Sequence, residues 1–231
     1  MSNIVEVSGL NKSYGKQQVL SNINFTIAEG QIIGLLGPNG CGKTTLIKIL
    51  NGLLQDYTGI VRIDENIPNS YTKSIISYLP EKTYLSKWMT VKDTLEIFQD
   101  FYKDFNINKA QDMLQRMNLD LKQKTKTMSK GMQEKLQLIL VMSREAKLYI
   151  LDEPIGGVDP AARDYILDTI IKNYNEKSSI LLSTHLIYDV ERIFDKVMFL
   201  KDGGIAICDD VDKLREEHNM SIDELFREVY R

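Results

Sequence analysis

The chain has 231 residues, 29 lysines and arginines against 32 aspartates and glutamates, a formal net charge of −3, and 43% hydrophobic residues. This composition excludes a disordered chain and a mini-protein scaffold. It also argues against a dedicated nucleic-acid or anionic-membrane binder, since each of those concentrates a basic excess on one face.

Ile4, Val5 and Val7 read as a short strand, and Ile23, Phe25 and Ile27 alternate with polar residues as a half-buried strand does, so the opening is expected to be antiparallel. From Gln31 the pattern becomes a continuous apolar run, Ile32 to Leu36, followed by a glycine loop and a helical segment from Thr44 to Leu53. Strand, loop and helix make the first half of a parallel crossover unit. Gly59 to Asp64 and Ile75 to Leu79 read as further strands. Between Val91 and Met142 the spacing is helical, as in Leu95, Phe98 and Tyr102, which predicts an inserted helical subdomain over residues 83–145. Alternation then resumes with strand Leu148 to Leu151, helix Ala161 to Asn173, strand Ser179 to Ser183, helix Ile187 to Phe194 and strand Lys196 to Leu200. Gly203-Gly204 turns the chain into Ile205 to Ile207. A helical tail is expected over 209–231, where Ser221 and Glu224 form a capping box before Leu225, Phe226 and Val229. The fold class is therefore α/β, with a mostly parallel sheet, an antiparallel β-subdomain and a helical insertion in a single unit spanning 1–231.

Cys41 and Cys208 build no disulfide framework and point to a reducing compartment. The first residues lack the basic and apolar regions of a secretory leader. Apolar runs such as Leu138 to Met142 fall far short of the roughly 18 to 20 residues that span a bilayer, so the protein is expected to be soluble or held at a membrane only by a partner.

Gly37-Pro38-Asn39-Gly40-Cys41-Gly42-Lys43-Thr44 fits the phosphate-loop pattern, with Thr45 next in line. Its glycines let backbone N–H groups converge on phosphate oxygens at a helix N-terminus, Lys43 reaches the β- and γ-phosphates, and the Thr44 hydroxyl ligands Mg²⁺. Downstream, the apolar strand Leu148 to Leu151 ends in Asp152-Glu153. Beside a phosphate loop the first carboxylate holds Mg²⁺ and the second orients or deprotonates the attacking water.

With these motifs the chain resembles the ATP-binding subunit of ABC (ATP-binding cassette) transporters from about Ile4 to Leu200. Met128-Ser129-Lys130-Gly131-Met132-Gln133 stands where the family's Leu-Ser-Gly-Gly-Gln signature belongs, Gly156-Gly157-Val158-Asp159 follows as the D-loop, and His185 stands as the switch histidine. Tyr14 sits where the family stacks an aromatic on adenine. The resemblance implies MgATP as the ligand, with Glu153, His185 and Glu81 at the reacting end, Thr44, Asp152 and Glu81 around the metal, and Tyr14, the loop residues 37–45 and Asp159 holding nucleotide. Ser129, Lys130 and Gly131 would act on the nucleotide of a second cassette.

Two positions depart from the pattern. Lys130-Gly131 replaces the double glycine, with Met132 in place of Gln, a form familiar in bacterial exporters of drugs, peptides and antibiotics. Glu81 in Leu79-Pro80-Glu81 replaces the usual Gln of the Q-loop; an ionised carboxylate there can approach a cation but cannot donate a hydrogen bond.

The resemblance implies a homodimer or paralogous heterodimer of cassettes that powers separate transmembrane permease subunits, located in the cytoplasm on the inner face of the cell membrane, without a nucleic-acid partner. Two other readings stand beside it: a soluble ABC-type ATPase acting on DNA or the ribosome, and a regulatory ATP-binding subunit that does not hydrolyse. Trp88 is expected either as core or as part of the groove that receives a membrane subunit. The methionines at 113, 117, 128, 132 and 142 are expected to be core packing, and the lysines at 122, 124 and 126 a solvated face.

Overall fold

A computed structural model of the chain describes residues 2–156, 158, 160–175 and 177–231. The chain opens with β1 (Asn3–Tyr14) and β2 (Gln17–Ala28), passes through β3 (Ile32–Leu36) and α1 (Lys43–Leu50), and returns as β4 (Thr58–Ile63). β1 pairs antiparallel with both β2 and β4, giving a three-stranded sheet in the order β2-β1-β4. After α2 (Ser70–Ile75) and β5 (Ile76–Leu79), the helices α3 (Val91–Phe101), α4 (Ile107–Arg116) and α5 (Lys130–Met142) precede β6 (Leu148–Asp152). Then come α6 (Pro160–Asn173), β7 (Ser179–Thr184), α7 (Ile187–Val190), β8 (Lys196–Lys201), β9 (Gly204–Asp210), α8 (Val211–His218) and α9 (Ile222–Val229). The second sheet has six strands in the order β5-β6-β7-β3-β8-β9, parallel except for the antiparallel pair β8 and β9.

The continuous apolar runs of β3, β6, β7 and β8 follow from this layering, because a parallel sheet covered on both faces has no polar side. Alternate residues serve different cores. Ile33, Leu35, Leu148, Ile150, Leu181, Met198 and Leu200 pack with Leu46, Ile47, Ile49 and Leu50 of α1 and with the three-stranded sheet. Their neighbours Ile32, Leu36, Tyr149, Leu151, Ile180, Leu182, Val197 and Phe199 pack on the other side, in a core shared with Val91, Leu95, Met113, Leu114 and the apolar face of α5. Met113, Met117, Met128 and Met142 are buried and Met132, partly buried, packs against the same core, while Lys122, Lys124 and Lys126 are exposed.

Several boundaries differ from the expected ones for local reasons. α1 stops at Leu50 because the Asn51 side chain bonds back to the Ile47 carbonyl, and Gly52 (φ 63°) turns the chain away. α2 is a helix that periodicity does not reveal. It is six residues long and is started by a reciprocal cap between Asn69 and Thr72, so β5 begins at Ile76. The stretch from Val91 to Met142 is not helical throughout: Asn118 adopts φ 54° after α4, and a single 3₁₀ turn at Thr125–Thr127 leads to α5. The expected helix Ile187 to Phe194 is one turn of α7 followed by a 3₁₀ turn, Glu191–Ile193.

Arg144 ties the helical insertion to the sheet. Its side chain is buried, donates to Asp104 at 3.0 and 2.9 Å, donates to the carbonyls of Ser74 and Ile76 beside β5, and stacks 3.9 Å from the Tyr102 ring centroid. The segment from β5 to Glu81 thus starts from an anchored point.

Candidate functional site: a phosphate-loop cavity

At the ends of β3 and β6 lies a cavity of about 960 Å³, lined by Tyr14, loop residues Asn39, Gly40, Gly42, Lys43, Thr44 and Thr45, the segment 79–83, and Asp152, Glu153 and His185. A further contribution comes from α5, through Lys130, Gln133, Glu134 and Gln137. Ends of parallel strands are where open α/β sheets bind ligands, and the volume suits a nucleotide.

The loop is bent by its glycines. Gly42 has φ 111°, and a Cβ there would meet Leu20 and the Val19 carbonyl at 2.9 and 3.0 Å. At Gly37 a Cβ would press on Cys41 Sγ at 2.5 Å and on the Leu200 carbonyl at 2.8 Å. Lys43 is buried and donates to the carbonyls of Gly37 at 2.6 Å and Pro38 at 3.2 Å, which arches the loop over the start of α1. No side chain caps α1, so its first amides are left for an acceptor from outside. Cys41 lies against Gly37 outside the cavity lining, and burial raises its thiol pKa.

Asp152 ends β6 almost fully buried. It accepts from Thr44 Oγ1 at 3.2 Å and from Ser183 Oγ at 2.5 Å. Burial pushes its carboxyl pKa up, and the two hydroxyl bonds oppose that shift. Next to it, Glu153 adopts φ 52°, a strained angle for a residue with a side chain. The Glu153 amide is held by the Ser183 carbonyl at 3.0 Å, Oε2 lies 3.0 Å from His185 Nδ1, and Oε1 is 3.7 Å from Lys43 Nζ. Oε1 is buried and makes no hydrogen bond, leaving an acceptor free for a water or a substrate proton.

These features fit a magnesium nucleotide. Thr44 and Asp152 supply a hydroxyl and a carboxylate side by side. A Mg²⁺ ion completed by phosphate oxygens and water needs no protein cage, and among the described residues no cluster of three or more His, Cys, Asp or Glu forms one. Glu81 lines the same cavity, exposed, and near enough to Asp152 to disfavour its ionisation.

The remaining residues are distributed as follows. Tyr14 is 48% exposed and lines the cavity. Ser129 is exposed and caps α5, accepting from the Met132 amide at 3.3 Å. Lys130 pairs with Glu134 at 3.6 Å, and a Cβ on Gly131 would stand in open space. Gly157 and Asp159 of the D-loop lie outside the described residues. Trp88 is 70% exposed, which removes the core alternative for it. Ser183 is the residue the motif reading left without a role: the parallel register sets it opposite Asp152, and it holds both carboxylate residues.

A glycine loop at an uncapped helix start, a lysine arched over it, and paired carboxylates at a neighbouring strand end define a phosphate-loop nucleotide hydrolase. The sequence model of the ABC transporter family matches residues 20–156. The ABC transporter ATP-binding protein YtrB of Bacillus subtilis is 30% identical over 218 residues, 93% of this chain and 75% of that protein. The lantibiotic transport ATP-binding protein SrtF of Streptococcus pyogenes is 29% identical, covering 90% of this chain and 92% of that protein. A solved structure of an ATP-binding subunit of an ABC transporter superposes with a TM-score of 0.88 at 28% identity, over 99% of this chain and all of the other. The chain belongs to the ABC transporter family as an ATP-binding subunit and is an ATPase. No helix among the described residues is long and apolar enough to cross a membrane.

Proposed function

We propose that the chain hydrolyses MgATP as one half of a pair of cassettes and passes the resulting motion to separate membrane permease subunits, in an exporter. One observation carries the hydrolytic reading: Glu153 has a free, buried carboxylate oxygen while its other oxygen is held by His185 and its backbone by Ser183. Lys43 and the loop amides neutralise phosphate charge, and Tyr14 takes the base. Thr44, Asp152 and Glu81 would hold Mg²⁺, which when bound would supply Lewis-acid charge to the phosphates. Glu153 accepts the proton of the attacking water. His185 orients Glu153 through Nδ1 and carries the rest of its ring toward the γ-phosphate.

Pairing is supported by the first turn of α5: Gly131 is open, Ser129 and Lys130 are exposed, and a neighbouring cassette's phosphate would complete their hydrogen bonding. Export is supported by the Ser-Lys-Gly-Met form of the signature and by the likeness to a lantibiotic transport protein. Exposed Trp88, between Glu81 and α3, suits the groove that receives a permease. The test is tagged chain purified from its native membranes, with the co-purifying membrane protein identified and reconstituted. ATP-driven movement of cargo out of the cytoplasmic side supports the proposal; an active chain that co-purifies with no membrane protein from those membranes overturns the transport part of it.

A further inference from the structure

Lys12 has no part in the chemistry above, yet it is a charged residue only 5% exposed. Burying an ammonium is costly unless it is paired, and its carboxylate partner, Asp56 at 2.9 Å, is itself 99% exposed and well solvated. The second partner is a ring: Lys12 Nζ stands 4.8 Å from the centroid of Tyr14, the aromatic that lines the nucleotide cavity.

We infer that Lys12 is a positioning residue for the nucleotide base, its ammonium fixing one face of the Tyr14 ring so that the other face receives the base. This rests on the reading of Tyr14 as the base platform. An aromatic ring has two faces and a negative quadrupole on each; a cation on one face satisfies it there and draws electron density from the ring. The face left over then stacks more strongly on an electron-rich purine. The ring is also held before the ligand arrives, so less freedom is lost on binding. Asp56, in the loop between α1 and β4, keeps the ammonium from moving off the ring toward water.

Lys12→Met keeps the length and apolar stem of the side chain, removes the charge, and leaves Asp56 in solvent. Calorimetric titration of the full chain should show MgATP binding about two- to fivefold weaker, the size of a partly desolvated cation–π contact. Lys12→Arg should restore wild-type affinity. Magnesium tripolyphosphate, which has the phosphates and no base, should bind both variants as it binds wild type. In a Tyr14→Ala background, Lys12→Met should have no further effect, since the ring it acts through is gone. Unchanged ATP affinity in Lys12→Met overturns the inference, and so does an equal loss for tripolyphosphate or a loss that persists without Tyr14, each of which marks Lys12 as a local fold residue. If Tyr14→Ala alone leaves ATP affinity unchanged, the platform reading fails and this inference falls with it. Should Lys12→Met not fold, Lys12→Gln carries the same comparison.

Discussion

The phosphate loop with its strand ends and the first turn of α5 border one cavity, yet the loop side is built in the opposite way to the α5 turn and to the segment around Trp88 outside the lining. On the first side Lys43, Asp152, Ser183 and Thr184 are all buried, and their polar atoms are spoken for within the chain. On the second side Ser129 and Lys130 are exposed, Gly131 faces open space and Trp88 is 70% exposed. A group that must act on phosphate in a single chain has to be preorganised, since reorganising it during the reaction costs rate. A surface that acts only after another protein arrives stays solvated until then. The contrast separates what one chain can do alone from what it does in an assembly.

The sharpest way to break this contrast is Lys43→Ala on the built side. Charge-assisted contacts are worth about 1.5–3 kcal/mol each, so ATP affinity should fall roughly ten- to a hundredfold. Turnover should nearly vanish, because the lost contact strengthens as charge develops. Wild-type affinity and turnover in this variant would remove Lys43 from the site.

Glu153→Gln should separate binding from chemistry. Removing a general base costs about a hundred- to ten-thousandfold in rate while the side-chain shape is kept. ATP should then persist bound and hold two chains together, visible as a shift to larger size in size-exclusion chromatography with MgATP. A variant that hydrolyses normally and stays monomeric contradicts the assignment.

The exposed side is tested by adding Ser129→Asp to Glu153→Gln. Asp is as good a helix cap as Ser, so α5 should keep its start, but its charge would oppose the neighbour's γ-phosphate. Single-chain ATP binding should stay within about twofold while the MgATP-dependent dimer disappears; a dimer that survives places the pairing surface elsewhere.

Glu81→Gln should raise the Mg²⁺ concentration for half-maximal ATPase by about a fewfold, since a hard cation prefers a charged oxygen. An unchanged Mg²⁺ titration takes Glu81 out of the metal shell. The smallest effect on the isolated chain should come from Trp88→Ala, with ATPase of the free subunit unaltered and transport in the reconstituted complex reduced. Wild-type Trp88 emission should move to shorter wavelength when the permease binds; emission that stays unchanged in the complex ends the docking role.

Much of this was legible before any fold was known, and the reason is local. A phosphate loop is eight contiguous residues whose glycines, lysine and threonine work through their own backbone turn, so pattern and geometry coincide. An apolar strand ending in Asp152-Glu153 announces itself in the same way. The cap of α9 was equally local, while α2 was too short for its period to register.

Amino-acid order alone thus determined the fold class, the phosphate loop and the identity of the two carboxylates, because each depends on neighbours in the chain. It did not determine who holds those carboxylates. Ser183 meets Asp152 only because β7 lies beside β6 in register, although β3 rather than β7 begins the parallel sheet in chain order. His185, the residue directly after that same strand, reaches Glu153, Arg144 joins Asp104 to the Ser74–Ile76 stretch from a distant part of the chain, and Lys12 meets Asp56 in a separate loop. Strand order and register are decided by which apolar faces can be buried together over the whole chain, and that is a property of the packed core that no window of sequence contains.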